Sequence, residues 1–171
     1  MKQENVMRVP KITKVLLSAG ATGNDLEKAK KLLEIFSGMK AQIINSGPKR
    51  RIPTFGVKPN MPLGVRITLR GENAVKSLRR LLGAIENTLK KSQVAENAFS
   101  FGIKEYIEIP DMEYIREIGI RGFNVTVVFE RKGFRVKNKK IKRGFLPKRQ
   151  RVSEEEIIKY MEDNFKTRFV K

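Results

Sequence analysis

Three observations predict an α+β fold: a single domain over residues 1–171, with a largely antiparallel sheet, helices packed on one face and basic loops on the other side. Short stretches alternate apolar and polar residues, and others repeat apolar residues at helical spacing. No repeat, Gly/Ser linker or shift in composition divides the chain. At 171 residues and 40% hydrophobic composition, the chain can build one ordinary core.

The elements follow in order. Ile12 to Ser18 reads as a strand, closed by Gly20, Gly23 and Asn24. Leu26, Ala29, Leu32, Leu33 and Phe36 then recur at helical spacing from Asp25 until Gly38 stops the run. Ala41 to Asn45 reads as a second strand. Pro48, Pro53, Pro59 and Pro62 exclude a helix or a central strand from the connection over residues 46–63. From Val65, alternation places Ile67 and Leu69 on a core face and Arg66, Thr68 and Arg70 on the other. Ala74, Leu78, Leu81, Leu82, Ile85 and Leu89 mark a second helix, with Lys76, Arg79, Arg80 and Lys90 on its polar side. Phe99 to Ile103 and Phe123 to Phe129 alternate as further strands. Ser153 and Glu156 form a capping-box signature ahead of a last helix carrying Ile157, Ile158, Met161 and Phe165.

Charge narrows the function. The chain carries 37 Lys and Arg against 18 Asp and Glu, a net charge of +19. Most of the excess sits in two acid-free tracts. Residues 35–71 hold Lys40, Lys49, Arg50, Arg51, Lys58, Arg66 and Arg70, and residues 131–151 hold eleven Lys and Arg. A solubilising surface mixes both signs, so long tracts of one sign imply contact with a polyanion. Cys and His are both absent, which removes zinc ribbons, thiol and imidazole nucleophiles and disulfides. Met1 to Pro10 has no apolar signal core, and no apolar run approaches a membrane span, so a soluble intracellular protein is expected.

The motifs differ in weight. The 46–63 loop combines stiff backbone, cations and the apolar Phe55, Val57 and Met61, which are expected to be exposed beside them. Gly20-Ala21-Thr22-Gly23 has the spacing of a backbone-clamping GXXG loop, but it reads as an ordinary turn before a helix. Arg131 to Val136 overlaps the start of an RRM motif, yet Arg135 stands where a small residue is needed. Neither a Walker A nor a GxGxxG sequence occurs. Glu105, Glu108, Asp111 and Glu113 could hold magnesium in a nuclease, but their apolar neighbours suggest solvent-facing acids instead. No enzyme, cofactor or metal is expected.

Several blocks together carry a resemblance. They are Arg51-Ile52-Pro53-Thr54-Phe55-Gly56-Val57-Lys58-Pro59-Asn60-Met61-Pro62-Leu63-Gly64, Arg66 to Gly71, Phe99-Ser100-Phe101-Gly102-Ile103-Lys104-Glu105-Tyr106, and Ile118 to Phe123. From about Val6 to Phe165 the chain resembles the universal large-subunit ribosomal protein five family. Its ending, Arg131 to Phe134 through Pro147 to Glu156, is similar to the archaeal and eukaryotic branch. The resemblance implies a non-enzymatic protein of the central protuberance, located in the cytoplasm on the ribosome, that attaches 5S rRNA and touches large-subunit rRNA and neighbouring ribosomal proteins. It maps a loop approaching P-site tRNA onto Phe55, Gly56, Val57, Lys58, Pro59, Asn60, Met61 and Pro62. It also implies a bridge to small-subunit protein thirteen near Asp111 to Ile118. Two departures stand out. Ser18-Ala19-Gly20 replaces the Asn that many members carry, and Asn60 stands where Gly is frequent, although Asn tolerates the left-handed conformation.

On this reading the sheet and its loops clamp rRNA. Lys11, Lys14, Lys49, Arg50, Arg51, Arg66, Arg70 and Lys104 meet phosphates, and Asn45, Thr54 and Thr68 orient the backbone. Arg135, Lys137, Lys139, Lys140, Lys142 and Arg143 belong to a basic arm at 131–151 whose self-repulsion predicts order only on RNA. The alternative is a general single-stranded RNA-binding or chaperone module, with Phe101, Phe123 and Phe129 available for stacking on an open sheet face. At least two of those rings are expected in the core.

Overall fold

Residues 5–170 are described in the structure, a computed structural model; Met1 to Glu4, part of the stretch read for a signal, lie outside the described residues. The chain runs through β1 (Lys11–Gly20), α1 (Asn24–Ser37), β2 (Gln42–Asn45), β3 (Pro62–Leu69), α2 (Gly71–Ala84), β4 (Thr88–Lys90), β5 (Val94–Ala95), β6 (Ala98–Ile103), β7 (Phe123–Glu130), α3 (Arg135–Asn138), α4 (Glu154–Phe165) and β8 (Arg168–Val170). Six strands form one sheet in the order β2-β3-β1-β7-β6-β5, and β4 pairs in parallel with β8. The architecture is α+β with a largely antiparallel main sheet, as the alternation predicts. The chain divides into two compact units: residues 16–69 with 102–125, and residues up to 15 with 70–101 and from 126 onward. The division falls inside β1 and inside β7.

In the first of these units, α1 packs on β3. Leu26, Ala29, Leu32, Leu33 and Phe36 are buried, as are Val65, Ile67 and Leu69. Burying each large side chain of this set stabilises by roughly 1.5–3 kcal/mol. Phe36 meets Phe123 at 6.1 Å between ring centroids. Gly38 closes the helix at φ 65, donating its N–H to the Glu34 carbonyl. β2 pairs antiparallel with β3, Gln42 opposite Arg66, and the register shifts between Ile44 and Asn45 where the Pro-rich loop departs.

In the other unit, Phe99, Phe129 and Tyr160 form an aromatic core. Phe129 lies 5.9 Å from Phe99 and meets Tyr160 edge-on at 5.4 Å. α4 begins with the capping box its sequence encodes: Ser153 Oγ accepts from the Glu156 N–H, and Glu156 accepts from the Ser153 N–H. The second helix is shorter than its periodicity predicts. Ile85 caps α2 rather than extending it, and Glu86 and Asn87 adopt left-handed φ values of 53° and 55°. The Asn87 N–H turns back to the Leu82 carbonyl, so Leu89 and Lys90 belong to β4, not to the helix. Leu89 is four residues after Ile85, a spacing that a helix and this turn-plus-strand serve equally well.

Candidate nucleic-acid interface

The Pro-rich loop is a built structure. A short helical turn over Pro53–Phe55 is closed by Gly56 at φ 63, and Ile52 and Val57 exchange both backbone hydrogen bonds. Asn60 takes the left-handed conformation, φ 59, that its position demands. Ser46 ties the base of the loop together. It is buried, its N–H donates to the Met61 carbonyl at 2.8 Å, and its Oγ donates to the Lys58 carbonyl at 2.7 Å. A loop so bound internally loses little conformational entropy when it docks.

Phe55 stands at the tip, 78% exposed. Val57 corrects the expectation of exposure. Its side chain is buried, because its backbone pairs with Ile52 and turns inward, so it supports the loop rather than presenting a contact. Met61 is half-buried, whereas Gly56, Lys58, Pro59, Asn60 and Pro62 are exposed.

Lys49, Arg50 and Arg51, with Gly47 and Pro48, line a shallow open concavity at the start of the same loop. Asn45 and Thr54 are exposed beside them in sequence, and Lys104 is exposed just after β6. Arg66 projects from the open face of β3, its Nε donating to Gln42 Oε1 at 3.0 Å, while Thr68 is half-buried on the same strand. Among the described residues, none of Lys40, Lys49, Arg50, Arg51, Lys58 and Arg66 makes an ion pair with an acid. These charges are free for an external anion.

Lys11, Lys14 and Arg70 belong to the other unit, with Lys14 half-buried in β1. So does the basic arm, which is a closed loop with anchored ends rather than an extended tail. Arg131, its side chain 10% exposed, holds Glu156 through both carboxylate oxygens at 2.6 Å and donates to the Arg149 carbonyl. Gln150 donates to the Lys132 carbonyl, and Arg151 pairs with Glu96 at 2.8 Å. Between these feet, Arg135, Lys137, Lys139, Lys140, Lys142 and Arg143 are all exposed. Two of the eleven cations are therefore structural, and the sequence could not mark which two.

The aromatic platform of the alternative reading does not form. Phe101, Phe123 and Phe129 are all buried, 4% exposed or less, so β6 and β7 turn their rings into the core. Glu105, Glu108, Asp111 and Glu113 are exposed, and among the described residues no three acidic side chains gather to hold a metal ion. Nor is any described helix long and apolar enough to cross a membrane. Sequence reasoning missed Ser46, whose signal was only a hydroxyl at a strand end. It also missed Phe134 and Phe145, aromatics inside a run of cations.

Comparison with known proteins agrees with this surface. The model of the C-terminus of the ribosomal protein uL5 family matches residues 62–160. The chain is 38% identical to the large ribosomal subunit protein uL5 of Methanobrevibacter smithii over 99% of both chains. It is 40% identical to that of Nanoarchaeum equitans over 94% of this chain and 95% of the relative. With uL5 of Sulfurisphaera tokodaii it shares 39% over 96% and 92%. A family match across more than half the chain, with archaeal relatives aligned almost end to end, places this protein in the ribosomal protein uL5 family, a family of ribosomal proteins and not of enzymes.

Proposed function

We propose that the protein is a structural constituent of the large ribosomal subunit that binds 5S rRNA and helps attach it in the central protuberance. The observation that carries this reading is the unpaired row from Lys40 to Arg66. Six exposed cations surround a pre-built loop, with no acid in the tract to neutralise them. Lys49, Arg50 and Arg51 meet phosphates at their shared concavity, and Arg can hold two phosphate oxygens at once. Asn45, Thr54 and Thr68 supply neutral hydrogen bonds to sugar or phosphate, so recognition follows RNA shape and 2′-hydroxyls rather than base sequence. Lys11, Lys14, Arg70, Lys104 and the arm cations extend the contact to 5S or large-subunit rRNA.

The loop tip, Phe55 with Gly56, Lys58, Pro59, Asn60 and Pro62, faces P-site tRNA on this reading. The exposed segment around Asp111 and Tyr114 meets small-subunit protein thirteen. Tyr106 Oη accepts from the Ile115 N–H at 2.8 Å and gives that segment a fixed base.

The test is affinity for 5S rRNA against tRNA and an unstructured RNA of equal length, titrated from about 50 to 300 mM salt, because bare charge contacts weaken steeply over that range. Preference for 5S rRNA persisting at the upper end, and weakened by Arg50→Ala, is the expected result. Equal binding that vanishes with salt would instead assign the +19 charge to a general RNA-binding module.

A further inference from the structure

Within the unit that carries the basic arm, the arm closes over a cavity of about 400 Å³. Its wall is chemically mixed. Phe134 and Phe145 supply aromatic surface, Lys137 and Arg143 positive charge, Glu130 a carboxylate, and Asn97 an amide. Phe145 is 86% exposed, more than any other large apolar side chain described. The cation of Lys137 lies 5.6 Å from the centre of the Phe134 ring. The arm is held in this closed shape where the Gly144 N–H donates to the Val136 carbonyl at 3.1 Å. A side chain at position 144 would put its Cβ 2.6 Å from Val136 Cγ1, so the closure depends on the absence of one there.

A solvated charged face has no need of exposed aromatics, and an apolar protein contact would not be ringed by cations. Together these groups match one ligand class. Aromatic faces stack on a nucleobase, neighbouring cations hold its phosphate, and a carboxylate accepts hydrogen bonds only from an edge bearing N–H groups. The volume falls in the range of roughly 300–1,000 Å³ typical of small-ligand cavities.

We propose that this cavity receives a single unstacked nucleotide of the bound rRNA. Its base lies against Phe134 and Phe145, its exocyclic amino edge faces Glu130, and its phosphate meets Lys137 and Arg143. Guanine suits the site best, since its N1–H and amino group can address both carboxylate oxygens, whereas the carbonyl groups of uracil would oppose them. The inference rests on the RNA-binding reading above. It adds one base-reading contact to an interface otherwise built on shape.

The test uses the full-length protein with labelled methyl groups, titrated by NMR with 5′-GMP, 5′-UMP and inorganic phosphate. Binding of 5S and large-subunit rRNA is measured on the same preparation. GMP is expected to shift the Val128 and Leu146 methyl signals and to bind about tenfold more tightly than UMP, while phosphate leaves them in place. Phe145→Ala, at a position too exposed to matter for folding, should weaken GMP about five- to tenfold. Glu130→Gln should bring GMP and UMP level. Unmoved methyl signals, or equal shifts with phosphate, overturn the nucleotide site even if rRNA still binds. An ineffective Phe145→Ala overturns the stacking, and an ineffective Glu130→Gln overturns the choice of base. If the unaltered protein binds neither rRNA, the RNA-binding reading falls as well.

Discussion

Ser46 shows how much of an interface can hang on one small residue. Its hydroxyl and amide hold two carbonyls of the Pro-rich loop, at Lys58 and Met61, from a buried position at the end of β2. Ser46→Ala leaves the Lys58 carbonyl without its donor, at a cost of roughly 1–3 kcal/mol confined to the loop. The expected outcome is faster hydrogen exchange at the Val57 and Met61 amides, with little change at Val65 or Ile67. Equal acceleration at all four would make Ser46 a global rather than a local support. Tyr160 allows a second prediction, from burial. Packed edge-on against Phe129, its hydroxyl is held above the ordinary value of 10.0 because burial disfavours the phenolate. The folded state therefore keeps this proton more tightly than the unfolded chain. Its contribution is whole below that ordinary value and is lost as pH rises past it. Melting temperature measured from about pH 8 to 11 should fall less steeply in Tyr160→Phe than in the unaltered protein.

The elements differ in how far the sequence reveals them. α1 and β3 were legible because their apolar spacing has one geometric solution, and α4 because its capping box names its first turn. The end of α2 was not, since Leu89 continues a helical spacing while Glu86 and Asn87 have already left the helix. Gly122 was equally silent: a Cβ there would collide with the carbonyls of Ile103 and Lys104, a constraint set by residues distant in sequence. For the candidate site, composition found both basic tracts but not their internal order. Val57 turning inward, and Arg131 and Arg151 serving as anchors, depend on partners that no local pattern encodes. The arm tests this last point. Glu156 both caps α4 and holds Arg131, so Glu156→Gln keeps the shape and part of the cap while removing the charge pairing. Because Glu156 is partly exposed, the expected loss is modest, about 1 kcal/mol. The sharper readout is trypsin, which should cut between Arg135 and Lys142 several times faster in the variant. Unchanged cleavage would show that the arm's closure does not depend on that anchor.

At the scale of the whole molecule, the same charge acts in opposite directions on stability and on binding. A net charge of +19 opposes compaction, because the cations of the arm and of the 35–71 tract lack acids close in sequence. Salt screens that repulsion, with a Debye length falling from roughly 10 Å at 0.1 M to 3 Å at 1 M. Raising sodium chloride should therefore raise the melting temperature of the free protein while lowering its affinity for RNA, where released counterions drive the complex. We propose further that the chain unfolds as one domain. The division between its two units cuts through β1 and β7, so neither unit owns a complete set of strands. Calorimetry should then give a single transition that moves upward with salt, with calorimetric and van't Hoff enthalpies in agreement. Two transitions would assign each unit its own stability. A melting temperature that falls with salt would mean that unseen attractive pairings outweigh the repulsion, and the two acid-free tracts would no longer explain why the free protein needs an anionic partner.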